Sequence, residues 1–566
     1  MYLSNLSYVL GCLPLLATAA LSKRQNSTAP TVQVLNGSYY GVHSQEYSQD
    51  YFLGIPFARP PVGDLRFRPP QSLNTTFNDT RNATEYSPAC IGYGSDTWVL
   101  GNYISEDCLT VNVIRPEGVA PGTNLPVGVW IYGGGNTNGG NSDPRYNASF
   151  IVRQSVQMRA PMIVVQLNYR LQAWGFLFGN EVVESGNANL GNRDQRLALQ
   201  WVQENIAAFG GDPSKVTIWG ESAGASGVGM QLLAYGGRND NLFRAAIVQS
   251  GGPVASSRLL TPSQWQPYYN NITLAAGCSN ATDTLACLRT IPTDTLSSIL
   301  NSTVTTGFPW GPQVDNDFLL APFTASLQAG NFVRVPILTG RNHDEGTDFA
   351  PKGINTTDQF LANVRSQGPD NATAVTIAAL YPDIPAIGIP ATLDGRPTGP
   401  LASYGVQWKR ISSYIGDLRQ HVPRRIVNQV WSKYNVTNYS YHFNVIPNGA
   451  GAWLGSGHFR EVAFVFDNTD GLGYKNVVAV NPFEGKGEEF FLLARLMSRM
   501  WVSFITGGSP NDSGVSCVNW PEYTLENPRN MVFDVNVTKL AYVEPDTYRA
   551  EGIQYLADRF ADVYNR

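Results

Sequence analysis

The chain has 566 residues, of which 43% are hydrophobic and 15% charged, with a formal net charge of −5. That balance excludes a disordered polypeptide, and the length could hold one large α/β domain or several small ones. The absence of a basic cluster argues against nucleic acid as a partner, and no apolar run beyond the N-terminus reaches membrane-spanning length.

Residues 1–20 are expected to be a secretory signal peptide. Leu10 to Ala20 is apolar and ends in small residues, although no positive charge precedes it. Lys23-Arg24 then reads as a dibasic processing site within a short segment, 21–30. Fifteen N-x-Ser/Thr sequons follow the signal, among them Asn74, Asn78, Asn82, Asn271, Asn280, Asn301, Asn435 and Asn438. Removing Cys12 with the signal leaves five cysteines. Four can close two local loops, Cys90–Cys108 and Cys278–Cys287, and Cys517 is left over as a buried thiol. No metal-ligand spacing involves them, and no cofactor or metal is expected.

From Thr31 to Phe57, apolar and polar residues alternate with glycine breaks, as in antiparallel strands. Thr110 to Ile114 and Pro126 to Tyr132 read as strands, the second wholly apolar and therefore central, and Met162 to Tyr169 as another buried strand. Asp194 to Phe209 has helical spacing, with Leu197, Trp201 and Val202 on one side. Val216 to Trp219 is a buried strand that leads into Gly220-Glu221-Ser222-Ala223-Gly224. Phe243 to Gln249 and Val335 to Thr339 are two further short apolar strands. Strands alternating with helices predict a mainly parallel sheet covered on both faces. Asp358 to Arg424 carries no assignable pattern. With no linker or internal repeat, 31–566 reads as one α/β domain with large insertions.

The pentapeptide around Ser222 is weak evidence alone, because about 0.4 chance matches to G-x-S-x-G are expected at this length and glycine content. Its mechanical reading is a sharp strand-to-helix turn that lifts Ser222 Oγ clear of the sheet, with glycine on both sides because side chains there would collide. A serine hydroxyl needs a base, and the base needs an orienting acid. Of five histidines, His43 and His442 lie in strand-like sequence and His421 in a polar stretch. His458 lies in a glycine-rich loop between packed elements, which suits a presented imidazole. The acid candidates are Glu345 and Asp344, just past the strand Val335 to Thr339, at the end of a strand where catalytic groups gather. Tyr132-Gly133-Gly134-Gly135 follows the central strand and offers unobstructed backbone donors. Gly134, Gly135 and the N–H of Ala223 are the expected oxyanion hole.

The order Ser222, Glu345, His458 is that of an α/β-hydrolase. With Glu106 to Val113, Trp130 to Gly135, Asn168-Tyr169-Arg170, Phe209 to Pro213 and Asp344 to Thr347, the chain resembles the type-B carboxylesterase/lipase family from about Val32 onward. The resemblance implies an α/β-hydrolase fold with a small N-terminal antiparallel sheet. It implies Glu345 rather than Asp344 as the acid, and both bridges, Cys90–Cys108 and Cys278–Cys287. It also implies supporting roles for Glu221, Ser250 and Glu461. The implied activity is a secreted serine esterase acting on small ester substrates. Lipase or sterol esterase, with contact to a lipid interface, is the alternative, and a non-catalytic adhesion protein is the reading from another class. Two positions depart from the family pattern. Asn136 replaces an aromatic residue after the three glycines, and Phe459 replaces the glycine after the histidine. The Cys90–Cys108 loop, with Ile91, Tyr93, Trp98, Val99 and Leu100, is short beside the lids of the family's lipases.

Overall fold

The computed structural model describes residues 29–566 apart from 255–257, 475–479 and 516–517. The expected signal peptide, the dibasic site and Cys517 therefore lie outside the described residues.

Among these residues, eleven strands form one sheet. In chain order they are β1 (Val42–Ser44), β2 (Gln49–Pro56), β3 (Thr110–Pro116), β4 (Leu125–Ile131), β5 (Ile163–Leu167) and β6 (Gly211–Glu221). Then come β7 (Ala245–Gln249), β8 (Ile337–Asn342), β9 (Asn438–Phe443), β10 (Arg529–Phe533) and β11 (Ala541–Pro545). The spatial order is β11-β10-β9-β8-β7-β6-β4-β5-β3-β2-β1. Pairings from β5 through β4, β6, β7, β8 and β9 to β10 are parallel, and the pairs at both margins are antiparallel. Strands β5 and β7 are buried at every residue, which is why they read as unbroken apolar runs, Ile-Val-Val-Gln-Leu and Ala-Ala-Ile-Val-Gln.

The covering helices include α1 (Ala148–Gln157), α2 (Leu190–Asn205), α3 (Ala223–Gly237), α4 (Trp408–Gly416), α5 (Val422–Lys433) and α6 (Glu488–Gly507). The Asn147 side chain caps α1 by accepting from Ser149 N. Helix α2 starts four residues earlier than expected and hands Ile206–Phe209 to a 3₁₀ turn. The stretch expected as antiparallel strands divides. Thr31–Val34 and Gly37–Tyr40 form a hairpin with Thr80–Asn82 added in parallel, whereas β1 and β2 join the main sheet. Alternation identifies strands but does not say which sheet they enter. The unassigned region holds two helices with side-chain caps, Thr357–Ser366 and Asn371–Leu380, and α4.

Both disulfides are present, Cys90–Cys108 and Cys278–Cys287. Buried Arg66 ties the Cys90–Cys108 loop to the segment just after the second bridge: it pairs with Glu106 at 2.5 Å and donates to the Ile291 carbonyl at 2.5 Å. The sequon residue Asn438 is 1% exposed and donates to Tyr523 O, so folding removes it from the surface.

Candidate active site

The carboxyl ends of the central parallel strands converge on one place. Strand β6 stops at Glu221, and Ser222 takes φ 56°, ψ −124° before α3 begins. That backbone is strained for an L-residue. It is held because α3 packs directly beneath: a Cβ at Gly220 would press on Gly224, and one at Gly224 on the Ile131 and Tyr132 carbonyls. The flanking glycines are thus required by close approach, as the sequence predicted.

His458 Nε2 lies 2.8 Å from Ser222 Oγ, and His458 Nδ1 lies 2.6 Å from Glu345 Oε2. The imidazole side chain is 14% exposed and Glu345 is fully buried. Burial opposes the Glu345 charge, but His458, the Ser250 hydroxyl and the Asn342 N–H (3.0 Å) together hold its carboxyl below the usual glutamate range. Asp344, the rival from position alone, accepts from Ser456 N at 2.8 Å and so fastens the loop that carries His458.

Glu221 is 1% exposed, with Oε1 3.3 Å from His458 Nε2. Burial, and then the nearby Glu461 and Glu345 against the pull of His458, raise its carboxyl well above the ordinary value. Burial works against an imidazolium at His458, yet Glu345 and Glu221 outweigh it and raise its proton affinity. Glu461 does not touch the imidazole. It accepts from Gln249 at 3.0 Å and from Asn342 at 2.7 Å, which ties the ends of β7 and β8 to the histidine loop.

Gly134 (φ +91°) and Gly135 (φ +66°) occupy the left-handed region. A Cβ on Gly133 would come within 2.9 Å of Ser222 Cβ. The N–H groups of Gly134, Gly135 and Ala223 donate to no other group among the described residues. At Ala223 this follows from its place as the first residue of α3. Asn136, buried at φ +58°, continues the turn. Its side-chain type suits that backbone better than the aromatic residue usual there.

The loop between Cys90 and Cys108 docks on this glycine segment. Tyr93 N donates to Thr137 O at 2.8 Å, Asp96 N to Asn138 Oδ1 at 3.0 Å, and Asp96 pairs with Arg145 at 2.7 Å. Phe459 sits at φ +70°, which explains a glycine preference at that position. The aromatic ring compensates by packing on Tyr146 and lying 5.0 Å from the Arg145 guanidinium. The sequence reading missed Asn342, Gln249, Asp348 (which accepts His458 N at 2.7 Å) and Phe349, whose ring packs edge-on to the imidazole. Adjacency to Glu345 was the available signal for Asp348 and Phe349. The other two become visible only when strand ends meet.

His43 pairs with Asp50 (3.1 Å) and His442 with Glu544 (2.9 Å), as histidines in strands of the sheet rather than at the serine. Among the described residues, no cluster of ligands suits a metal ion and no helix is long and apolar enough to cross a membrane.

A mainly parallel α/β sheet with a serine, histidine and glutamate hydrogen-bonded to one another beyond its strand ends has the architecture of an α/β-hydrolase. The comparisons with known proteins narrow this. The carboxylesterase family model matches residues 28–549, and the chain belongs to that family. It is 35% identical to Lipase 4 of Diutina rugosa, over 94% of this chain and 96% of that protein. It is 34% identical to Secreted lipase 1 of Botryotinia fuckeliana, over 88% of each. Mouse cholinesterase is 33% identical over 86% of this chain and 80% of its own length. The crystal structure of Aspergillus niger EstA superposes with a TM-score of 0.80 at 27% identity, covering 95% of this chain and 99% of that one.

Proposed function

We propose that the protein is a secreted serine esterase that works through an acyl-enzyme, with Ser222 as nucleophile, His458 as general base and acid, and Glu345 as the orienting acid. The observation that carries this reading is the continuous chain Ser222 Oγ–His458 Nε2 at 2.8 Å and His458 Nδ1–Glu345 Oε2 at 2.6 Å. His458 takes the hydroxyl proton as Oγ attacks the ester carbonyl. Glu345 holds the Nδ1–H tautomer and stabilises the imidazolium. The developing oxyanion is received by the N–H groups of Gly134, Gly135 and Ala223, each such donor being worth about 3 kcal/mol of the barrier. His458 then protonates the departing alcohol, and water activated by the same imidazole releases the acid. Glu221 adds a second carboxylate beside the imidazolium.

A family member that served only in adhesion would have no need of a buried, charge-compensated imidazole against a strained serine. Secretion is supported by the apolar leader and by relatives named as secreted. A fluorophosphonate should label Ser222 stoichiometrically, and Ser222→Ala should lose both labelling and p-nitrophenyl acetate turnover while keeping its thermal midpoint. A variant that kept most of the turnover would refute the assignment.

Within this reading we favour soluble esters over lipid aggregates. The candidate lid is short and its charged Asp96 is already fastened to Arg145. A p-nitrophenyl series from acetate to palmitate should peak at short chains below substrate aggregation. A jump in rate only when an interface forms would make it a lipase.

A further inference from the structure

The peptide unit that joins Gly457 to His458 is gripped at both ends. Asn342 Nδ2 donates to the Gly457 carbonyl at 2.7 Å, and Asp348 Oδ2 accepts from His458 N at 2.7 Å. The rest of the histidine loop is fastened in the same way, by side chains to backbone. Thr347 Oγ1 donates to Leu454 O at 2.7 Å, and Asp344 Oδ2 accepts from Ser456 N at 2.8 Å. Asp344, Thr347 and Asp348 all stand within three positions of Glu345. One short segment thus supplies both the acid and most of the grip on the loop.

The glycines of the loop make room for that grip. A Cβ on Gly457 would run into Asp348 Oδ2, and one on Gly455 into Asp344 Oδ2. They are points of close approach rather than of slack. The hold on the backbone also matters for the ring. Glu345 meets the imidazole only at Nδ1, and a ring held at one atom still swings with its Cα–Cβ bond. Fixing the peptide plane before His458 fixes where that bond points. On the far side, Phe459 is kept at φ +70°, a backbone that an aromatic residue leaves when it is free to do so. The Asp348 side chain is 29% exposed, and Arg460 lies 3.9 Å from its other oxygen. Its short contact with the loop is therefore the one to His458 N.

We propose that Asp348 is a positioning residue for the acyl transfer: with Asn342 it fixes the Gly457–His458 peptide and so keeps Nε2 on Ser222 Oγ. This rests on the esterase reading above and deepens it. The role needs an acceptor oxygen at that point, not a negative charge. A side-chain amide supplies one and a methyl group does not.

The experiment compares Asp348→Ala, Asp348→Asn and Gly457→Ala in the full chain, with p-nitrophenyl acetate as substrate. Asp348→Ala should lower kcat by about tenfold with KM unchanged, because the base is misplaced rather than the substrate site. Asp348→Asn should recover most of that loss, with the acid limb of its pH profile unmoved. Gly457→Ala should reproduce the loss by displacing the carboxylate. The double variant Asp348→Ala, Gly457→Ala should be no slower than either single one, as for two changes to one interaction. Wild-type kcat in Asp348→Ala would overturn the inference alone. So would equal losses in the alanine and asparagine variants with the acid limb moved to lower pH, which would make Asp348 a charge acting on the imidazolium. If the variants do not fold, hydrogen exchange on the wild type decides. The His458 amide should be protected, and free exchange there would overturn the inference. Failure of a fluorophosphonate to label the wild type would overturn the esterase reading and this inference with it.

Discussion

At the residue scale, the imidazole of His458 is held by two carboxylates of different standing. Glu345 accepts its Nδ1–H and stays ionised, while Glu221 faces Nε2 at 3.3 Å without a hydrogen-bond partner for Oε1. Both favour the imidazolium, so the acidic limb of kcat/KM against pH is displaced upward. Removing one negative charge disfavours the protonated ring and lowers its pKa. Glu221→Gln should therefore move that limb to lower pH, by about one unit. A limb that stays put would mean that Glu221 is protonated throughout. Phe459 shows a different balance. A left-handed backbone at φ +70° costs roughly 1 kcal/mol relative to glycine, offset by contacts with Tyr146, Tyr474 and Arg145. Ser222 and His458 could be picked out in the sequence because each stands in a short segment with its own local chemistry, whereas local sequence left Glu345 and Asp344 both open and the family resemblance chose between them. Asn342 and Gln249 could not be picked out, because a lone amide at a strand end has no signature until Glu461 is brought across from another loop.

At the element scale, the glycine turn after β4 and the Cys90–Cys108 loop act as one unit. Gly134 O accepts from Thr137 N, and Asn138 bonds both the turn and Asp96. A side chain at Gly134, at φ +91°, would also run into the Asn138 carbonyl. Gly134→Ala should lower kcat by about a hundredfold or more through misdirected donors, with a much smaller change in thermal midpoint. Comparable losses in both would indicate a folding defect instead. The Asp96–Arg145 pair is mostly shielded, at 19% and 15% side-chain exposure. Asp96→Asn should weaken the docking by about 1 kcal/mol, read as faster hydrogen exchange over residues 92–103 with the disulfide intact. Unchanged exchange would assign the docking to the backbone contacts of Tyr93 and Asn138. The short length of this loop was plain in the sequence. Its attachment was not, because Arg145 lies 49 positions from Asp96 and charge spacing along the chain says nothing about such a pair.

At the scale of the whole molecule, three histidines outside the active site, His343, His421 and His442, are packed around Tyr548, with the centroids of His421 and His442 5.5 Å apart. His421 is fully buried with neither ring nitrogen bonded, and it faces His442, Arg549, Arg424 and His343. Burial, then those positive neighbours, depress its proton affinity well below the ordinary value. In the unfolded chain it titrates near 6.5. The native state therefore binds fewer protons, and this contribution to stability is complete above about pH 6.5 and is lost as pH falls below it. The urea midpoint of the wild type relative to His421→Gln should accordingly decline from pH 7 to pH 5, and a pH-independent difference would refute the linkage. Apolar runs and their alternation with helical spacing were enough to determine a mainly parallel α/β sheet, because a strand buried on both faces must be apolar throughout. The elbow, the three glycines and the order of serine, acid and histidine were enough to point to a serine-hydrolase site, because each is a local steric or electronic requirement. Only the tertiary structure decided which sheet the N-terminal strands enter and which groups surround Glu345 and His458. Those depend on residues distant in sequence meeting in space, and neither composition nor periodicity records that meeting.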